Sequence, residues 1–413
     1  MKQTVVYLSS CALDGAGKPD PFFLQELPWL LSRFDRVVLC SYYGVAEITD
    51  PRPECVTALR PALGELRAKL RAPFSLAFWR EAARLLRDGL LTPTNLARLF
   101  LFTVRGFMLR NWTLSVLGRQ ERATLYAFWM SYEGFAAALC KRRRPALRAV
   151  ARGHAFDIDR ERNPLNPYLM KRYMGQMLDG IYPISEDAKR RLMNCYPLPA
   201  GKVRVLGLGS AGEEAAGRFD APFYGDGVFR IVSCAAMIPI KQVPLLIDAL
   251  ALWPAGRVRW THIGGGADEQ AVRAYAARVL GDRHEIELAF TGKVQREQVA
   301  QIYLSQPFDV FVNTSRSEGI PVSIMEAMRA GIPIVAPAIN GIPELVDDAV
   351  GRPYDPAGGA QAVYEALAAI AALPREEAER LRAAAQRRWN ERCRSDRLLE
   401  MLFPEAAEGG TSA

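Results

Sequence analysis

The 413-residue sequence lacks the patterns that mark metal sites, structural disulfides and membrane-spanning helices. Its seven cysteines are scattered without a Cys-x-x-Cys pair, and only three histidines could add imidazole ligands. A zinc site is therefore not expected. The cysteines are expected to be free thiols in a reducing compartment. No apolar run reaches the roughly 18 residues that a membrane span needs. These absences predict a protein that holds no metal ion and crosses no membrane.

The amino terminus also lacks the pattern of a signal peptide. The opening segment MKQTVVYLSSCALDG loses its apolar character at Ser9 and Ser10, before a hydrophobic region of sufficient length has formed. We therefore expect a cytoplasmic protein, whose contact with a bilayer would be peripheral binding at the inner membrane face.

The positive charge of the chain is concentrated in one segment. The formal net charge is +8, but residues 56–150 hold seventeen Lys and Arg against five Asp and Glu, a net +12, so the remainder carries −4. A basic surface can bind nucleic acid, an anionic membrane or a phosphate-bearing substrate. The sequence shows no alternation of aromatic and basic residues and no known nucleic-acid motif, so no nucleic-acid partner is expected.

Residues 308–348 are the most informative stretch, because they predict a strand, a loop, a helix and a second strand. The apolar Val310 to Val312 ends in a polar cluster, as a buried parallel strand does at its carboxyl edge. Pro321 suits the first turn of a helix, and Gly331 suits the position just after its end. This order predicts a parallel crossover whose loop lies on the ligand side of an open sheet.

The loop and helix start in this stretch carry groups suited to a nucleotide sugar. Backbone N–H groups between Gly319 and Ser323 have no partner inside the helix, so with the helix dipole they favour anionic oxygens. Glu318 lies in the loop and Glu326 about one and a half turns into the helix, where carboxylates can accept hydrogen bonds from hydroxyls. Two arbitrary glutamates would more often be solvated surface residues, so the surrounding motif has to decide between the two interpretations.

That motif is specific. The segment SEGIPVSIMEAMRAGIPIVA, followed by NGIPELV, resembles the donor-site signature of retaining glycosyltransferases of the GT-B fold, glycosyltransferase family 4 (group 1), over about a tenth of the chain. The resemblance implies an α/β protein with two Rossmann-like parallel-sheet domains facing a cleft. It also implies transfer of a sugar from a nucleotide-diphosphate sugar to an acceptor hydroxyl with retention of configuration.

The same resemblance implies roles for individual residues. It places Glu318 beside the donor sugar, Glu326 at the ribose hydroxyls and Lys241 at the diphosphate. His154 follows a predicted strand and resembles the family's histidine at the mouth of the cleft, which contacts the donor sugar or its phosphate. His262, inside a predicted strand, is expected to be structural. The implied catalytic residues are Glu318, His154 and Lys241, and the implied donor-binding residues are Glu326, Gly319, Ile320, Pro321, Arg316 and Gly341.

One cation that the family supplies is missing. The family places an arginine five residues before the lysine, and Ala236 stands at that position here. Arg316 and Lys293 are candidate substitutes, and a weaker or displaced phosphate site is the other possibility. Lys241 and the helix start would stabilise the departing diphosphate electrostatically, so the resemblance implies no metal and no cofactor besides the nucleotide-sugar co-substrate.

Composition and pattern predict two domains. The first spans residues 1–210, with a basic helical insertion at about 56–118, and the donor domain spans 222–384. A Gly- and Ala-rich linker at 210–227 separates them, and a helix at about 385–413 is expected to cross back to the first domain. The insertion has apolar residues at helical spacing with arginines between them. It fits docking on an anionic membrane and, equally, a helical layer with a solvated arginine face.

Three functions remain open from the sequence. The first is a transferase acting on a saccharide or lipid-linked acceptor in cell-surface polysaccharide assembly. The second is a GT-B epimerase or phosphorylase, which shares the fold but not the spacing of Glu318 and Glu326. The third is a catalytically silent GT-B scaffold or nucleic-acid binder that uses the basic segment, and the motif around Glu318 argues against it.

Overall fold

The fold is described from a computed structural model of the chain. The structure describes residues 3–9, 21–52, 64–158, 168–210, 212, 226–254 and 256–407. Most of the predicted linker and the first residues of the basic insertion lie outside these ranges. The chain divides into two compact units, the first formed by Met1–Gly207 with Ser395–Ala413 and the second by Leu208–Arg394.

The first unit is built on a six-stranded sheet with the order β3-β2-β1-β4-β5-β6. Neighbouring strands are parallel, except that β2 and β3 form an antiparallel pair. All residues of β1 and β4 are buried, as their mostly apolar sequences predict. The strands are β1 (Thr4–Leu8), β2 (Arg36–Ser41), β3 (Gly44–Ile48), β4 (Ala123–Ala127), β5 (Arg148–Gly153) and β6 (Gly180–Pro183).

Helices cover this sheet, and the described part of the basic insertion is helical, as predicted. Thr92 caps α4 by accepting a hydrogen bond from the N–H of Asn95, and Ser185 caps α8 in the same way. The helices are α1 (Pro21–Arg33), α2 (Gly64–Arg71), α3 (Leu76–Arg87), α4 (Pro93–Val116), α5 (Tyr132–Arg143), α6 (Ala155–Ile158), α7 (Lys171–Met177) and α8 (Glu186–Cys195). Of the described helices, none is both long and apolar enough to span a bilayer.

The second unit holds another six-stranded sheet, with the order β12-β11-β10-β7-β8-β9 and every neighbouring pair parallel. Its strands are β7 (Val228–Cys234), β8 (Arg257–Ile263), β9 (Ile286–Phe290), β10 (Val310–Val312), β11 (Ile334–Pro337) and β12 (Gly351–Tyr354). Its helices are α9 (Val243–Ala251), α10 (Glu269–Leu280), α11 (Arg296–Ser305), α12 (Val322–Arg329), α13 (Gly359–Ala371) and α14 (Arg375–Arg392). The two units confirm the predicted α/β architecture of paired Rossmann-like parallel sheets.

The strand order of the second sheet locates its ligand edge. The chain builds outward from β7 through β8 to β9, then crosses to the other side of β7 and continues through β10 to β12. Because the connections after β7 and β10 diverge, a crevice opens between their carboxyl ends, and open α/β sheets bind ligands at such a point. The predicted strand-loop-helix-strand stretch is β10, its following loop, α12 and β11.

The carboxyl-terminal crossing starts later than the sequence predicts, at Ser395 instead of about residue 385. The helix α14 belongs to the second unit, because the fully buried Trp389 donates a hydrogen bond to Ser210 Oγ at 2.7 Å. Ser210 also donates its N–H to the carbonyl of Cys393 at 2.8 Å, so the second unit begins at Leu208, well before residue 222. Only α15 (Ser395–Leu402) and α16 (Pro404–Ala407) return to the first unit.

Candidate functional site

Three loops of the second unit meet at the carboxyl edge of its sheet. They follow β7, β10 and β11, the strands at and beside the crossover point. The hydroxyl of Thr314 donates to the carbonyl of Lys241 at 2.9 Å, and the N–H of Arg316 donates to the carbonyl of Ile240 at 2.9 Å. The amide of Asn340 donates to the carbonyl of Glu318 at 2.7 Å. These bonds fix the backbones of the three loops relative to one another.

Lys241 and Glu318 form an ion pair between the first two loops. The ammonium of Lys241 donates to Glu318 Oε1, with the two side chains 25% and 10% exposed. The sequence implied that both residues serve one ligand but did not predict that they pair. A lysine has three N–H donors, so this ammonium can hold the carboxylate and still donate to a ligand.

The start of α12 presents free backbone donors next to this pair. Pro321 precedes the helix with φ near −70° and has no N–H of its own. Within the described ranges, no acceptor takes the N–H groups of Gly319, Ile320, Val322 or Ser323. Unsatisfied donors at a helix start attract anionic oxygens, so the predicted anion site has the expected local structure.

Glu326 lies near the same pocket. Burial raises the pKa of the Cys234 thiol to about 12, the carboxylate of Glu326 adds to that rise, and the ammonium of Lys241 opposes it. Both charges are therefore close to the carboxyl end of β7. A small cavity beside Lys241 is lined by Ser233, Cys234, Ala235, His262, Asn313, Thr314 and Ser315.

Ser315 is a residue of this cavity that sequence reasoning missed. It is 2% exposed, and its hydroxyl finds no hydrogen-bond partner in the part of the chain that the structure describes. Its N–H donates to Asn313 Oδ1 at 2.9 Å, which holds the turn after β10. The polar cluster that ends the predicted strand was the available signal for this residue.

A chain of buried hydrogen bonds supports the loop after β7. Trp260 Nε1 donates to Ser233 Oγ at 2.9 Å, Ser233 Oγ lies 2.8 Å from His262 Nδ1, and His262 Nε2 lies 3.1 Å from the carbonyl of Ala235. Because a carbonyl can only accept, Nε2 carries the proton and Nδ1 accepts from the serine hydroxyl. Burial lowers the pKa of His262 to about 4, so the ring is neutral. His262 therefore has the structural position that the sequence predicted.

Gly264 allows the loops after β7 and β8 to approach each other. Its φ is +134°, and a Cβ at this position would lie 2.1 Å from the carbonyl oxygen of Ala235. A side chain would push the loop after β7 away from β8. The absence of a side chain at Gly264 thus allows its backbone to lie close to that of Ala235.

The structure also shows where Ala236, which replaces the family's arginine, and the two candidate substitute cations lie. Ala236 is exposed in the loop after β7. Arg316 is exposed and lies directly beside Ile240 through its backbone hydrogen bond, one residue from Lys241. Lys293 is exposed on the loop after β9, and its N–H lies against Gly265. Gly341 is buried beside Asn340 in the third loop.

In the first unit, His154 follows β5 and is buried between aromatic rings. Its ring centroid lies 4.7 Å from that of Phe128 and 4.4 Å from that of Trp129. His154 is only 6% exposed, and neither of its ring nitrogens has a hydrogen-bond partner among the described residues. Burial lowers the pKa of His154 well below its usual value, and the charge of Arg152 acts in the same direction. A neutral imidazole with two unpaired nitrogens is suited to hydrogen-bonding a ligand.

The segment around His154 differs from the predicted loop, since β5 continues to Gly153 and the short helix α6 begins at Ala155. Asp157 produces this turn, because its carboxylate accepts from the N–H groups of His154 and Met130. Burial raises the pKa of Asp157 to about 6, against the opposing charge of Lys171.

Arg152, two residues before His154, is committed to the interior of the first unit. Its guanidinium pairs with Glu26 Oε1 at 3.1 Å and donates to the carbonyls of Leu206 and Gly207. It therefore supports the wall behind His154 and is not a free cation for a ligand.

Comparison with known families identifies the second unit. Residues 228–371 match the sequence model of the family described as Glycosyl transferases group 1. The match lies within the second unit and includes all three loops at its ligand edge. The part of the second unit that carries these loops is therefore similar to this glycosyl transferase family.

A curated relative is the amylovoran biosynthesis glycosyltransferase AmsK of Erwinia amylovora. It is 30% identical over 197 residues, which cover 45% of this chain and 46% of AmsK. The matched region thus spans less than half the length of the curated relatives.

Solved structures show the same fold over nearly the whole chain. The sucrose-phosphate synthase of Thermosynechococcus elongatus is 16% identical, with a TM-score of 0.66, and each chain is covered completely. Anabaena HepE, in complex with UDP and glucose, is 15% identical with a TM-score of 0.61, covering 98% of this chain and 99% of that one. These likenesses establish the GT-B fold.

Proposed function

We propose that the protein is a retaining glycosyltransferase of family 4 that transfers a sugar from a nucleotide-diphosphate sugar to an acceptor hydroxyl. The observation that carries the proposal is the Lys241–Glu318 ion pair beside the free N–H groups of α12, at the crossover point of a group 1 glycosyl transferase domain. An ammonium, a carboxylate and a row of backbone donors match a diphosphate attached to a sugar.

Departure of the nucleoside diphosphate builds negative charge that these groups would stabilise. Lys241 and the N–H groups at the start of α12 are held in place before the reaction, so they need little reorganisation as the charge develops. In the proposed complex the carboxylate of Glu318 lies beside the donor sugar, and Asn340 holds the backbone of Glu318 in position. Glu326 would accept hydrogen bonds from the ribose. The proposal assigns no step to a metal ion, so added chelator should leave the rate unchanged.

The missing cation at Ala236 has a proposed replacement in Arg316. Its backbone hydrogen bond to Ile240 places it next to Lys241, and its side chain is exposed at the same edge of the sheet. Substituting Arg316 with Gln should weaken donor binding, whereas substituting Lys293 should have a smaller effect.

His154 is proposed to hydrogen-bond the donor sugar or its phosphate as a neutral ring. Its lowered pKa makes it a poor base near neutral pH, and its two buried nitrogens, one donor and one acceptor, have no partner among the described residues. Retention of configuration would follow if the acceptor attacks the face from which the diphosphate leaves. The sequence does not indicate which residue, if any, would act as a covalent nucleophile.

We further propose that the acceptor is a saccharide or lipid-linked saccharide in cell-surface polysaccharide assembly, and that the protein works in the cytoplasm, at the inner face of the membrane. The support is the relative AmsK, named for amylovoran biosynthesis, and the structural neighbour HepE, solved with UDP and glucose.

The test is a transfer assay with variants of the ion pair. Glu318→Gln should lower the rate with a matched donor by on the order of a hundredfold, because a positioned charge is removed from the reacting centre. The control is Glu287→Gln, which breaks the exposed Arg259–Glu287 ion pair of the same unit and should leave the rate unchanged. Unimpaired transfer by Glu318→Gln would contradict the proposal, and conversion of the donor without any acceptor would favour an epimerase.

A further inference from the structure

The helices α2 and α3 of the first unit turn apolar side chains toward solvent. Between residues 64 and 87, six large apolar residues are each more than half exposed, whereas a water-soluble surface normally shows such residues singly. The exposed residues are Leu66, Leu70, Phe74, Leu76, Trp79 and Leu86. We call these six residues, with Arg67, Arg71, Arg80 and Arg87, the α2–α3 surface.

On α2 the apolar side points directly away from the protein. At about 100° per residue, Leu66 and Leu70 lie about 40° apart and roughly opposite to the buried Ala68. The exposed Arg67 and Arg71 lie along one side of this pair. The helix is therefore amphipathic with its apolar edge turned outward, which is the reverse of what packing on the fold alone would favour.

On α3 a second apolar stripe lies next to cations. Leu76, Trp79, Ala83 and Leu86 fall within about 80° of the helix circumference, and all four are exposed. Arg80 and Arg87, also exposed, border one side of the stripe, while the other side of the helix is buried. Long arginine side chains beside an apolar stripe can reach phosphate groups while the stripe enters an apolar layer.

The turn between the two helices carries the most exposed aromatic residue. Phe74 ends the short helical turn Ala72–Phe74 and is 88% exposed. Trp79 folds back toward this turn, where its Nε1–H donates to the carbonyl of Pro73 at 2.6 Å, and its ring packs edge-on against Phe78. These contacts fix the Trp79 ring beside the turn that carries Phe74. Phenylalanine and tryptophan in such positions are typical of interfacial anchors.

We infer that the α2–α3 surface docks on an anionic lipid bilayer, with the apolar residues in the interface and the four arginines at the headgroups. Charge decides between occupants. A second copy of this chain bound to the same surface would bring its arginines against these arginines, whereas anionic headgroups complement them. The segment of net charge +12 found in the sequence contains this surface.

The docking is independent of the transfer chemistry. It would bring the protein to an acceptor carried by a lipid, and only that consequence rests on the proposed function. The first experiment therefore measures binding to vesicles without any sugar donor, so its failure would leave the proposed transfer reaction untouched.

Flotation of the full chain with vesicles tests the inference. The protein should float with vesicles of phosphatidylcholine and phosphatidylglycerol, bind pure phosphatidylcholine much less, and dissociate as the salt concentration is raised. The triple substitution Leu66→Ser, Leu70→Ser and Phe74→Ser should weaken binding to the mixed vesicles by on the order of tenfold or more. Arg80→Gln with Arg87→Gln should also weaken binding, by about twenty-five-fold, at about fivefold for each cation removed.

Matched controls separate the surface from general effects of polarity and charge. Leu252→Ser with Met401→Ser replaces exposed apolar residues elsewhere, and Arg375→Gln with Arg380→Gln removes exposed cations from α14. Both control variants should bind mixed vesicles as the unmodified protein does, and all variants should keep their melting temperature.

Fluorescence of Trp79 gives a second measurement that does not depend on a destabilising change. Brominated lipids in mixed vesicles should quench the tryptophan emission, and Trp79→Phe should remove the quenched component while still floating. The inference is overturned if the protein fails to float with anionic vesicles. It is also overturned if the triple variant floats as well as the unmodified protein. A dimer of the unmodified protein, seen by light scattering and lost in the triple variant, would likewise overturn it, because a second copy of the chain would then occupy the surface.

Discussion

His262 is fully buried in the second unit, and both ring nitrogens lie within hydrogen-bond distance of a neighbour. Burial lowers the pKa of this ring to about 4, because protonation would place a charge in the core. Protonation of Nδ1 would also break the bond from Ser233. The neutral ring therefore accepts from Ser233 at Nδ1 and donates to the carbonyl of Ala235 at Nε2, and protonation removes the first of these bonds.

This residue predicts a pH dependence of stability. A depressed native pKa means that the unfolded chain binds the proton first, so the contribution of His262 is present above pH 6.5 and is lost as the pH falls toward 4. The free energy of unfolding should drop by on the order of 2 kcal/mol more in the unmodified protein than in His262→Gln, whose amide can still donate to Ala235. Urea unfolding at pH 7 and pH 4.5 measures the difference.

The control for this prediction is His284→Gln, because His284 is exposed. That variant should follow the pH profile of the unmodified protein. Equal pH profiles for His262→Gln and the unmodified protein would show that the buried ring does not couple the stability of the second unit to pH.

Residues whose role follows from a local motif were accessible to sequence analysis, and residues whose role follows from tertiary contacts were not. Glu318 and Lys241 were assigned by resemblance, and the structure places them in contact. Asn340 acts through a partner on another loop, and the Ser315 hydroxyl lines a cavity, so the motif and the polar cluster that contain them did not reveal these roles. The commitment of Arg152 to Glu26, 126 residues away, could not be predicted for the same reason.

At the scale of elements, the ligand edge of the second sheet is three loops, each following a parallel strand. The third loop is tied to the second by Asn340, whose φ of +48° is the left-handed conformation that asparagine tolerates better than most residues. Its amide also lies 3.4 Å from Ser317 Oγ. The loop after β10 therefore depends on β11 for its position.

Substituting Asn340 tests this dependence. Asn340→Gly keeps the left-handed backbone and removes the amide, so stability should change by at most about 1 kcal/mol. Donor affinity should fall about fivefold, since the backbone of Glu318 is released. Titration calorimetry with the donor measures the affinity. Asn340→Asp, which keeps the shape but loses both N–H donors, should behave in the same way, and unchanged affinity in both variants would contradict this role.

The predicted strand and helix of residues 308–348 are confirmed where the sequence carries strong local signals for them. Val310, Pro321 and Gly331 marked the strand, the helix start and the helix end, and Gly331 has the expected left-handed φ of +67°. The strands β3 and β12 were missed because they are short edge strands whose pairing is decided by tertiary contacts. Pro353 argues against a strand when only the sequence is considered, because proline has no N–H to donate. It is compatible with β12 because β12 is at the edge of its sheet.

At the scale of the whole molecule, the chain passes between its two units twice, after Gly207 and after Arg394. Composition placed the first passage in the Gly- and Ala-rich stretch at 210–227, because small residues mark loops. The true limit is set by burial, since Ser210 is bonded to Trp389 and Cys393 within the second unit. The two-sheet architecture was predictable from motif and α/β rhythm, whereas the exact division was not.

The central claim is that the second unit binds a nucleotide-diphosphate sugar between the loops after β7 and β10. The most direct test is thermal unfolding of the full chain with UDP-, GDP-, ADP- and dTDP-sugars. One donor should raise the melting temperature, since a ligand at a hundred times its Kd adds about 2.7 kcal/mol of stability. Lys241→Ala should lose that stabilisation, and the exposed-pair control Arg259→Ala should keep it. If no donor shifts the melting temperature, or if Lys241→Ala is stabilised as fully as the unmodified protein, the claim is wrong.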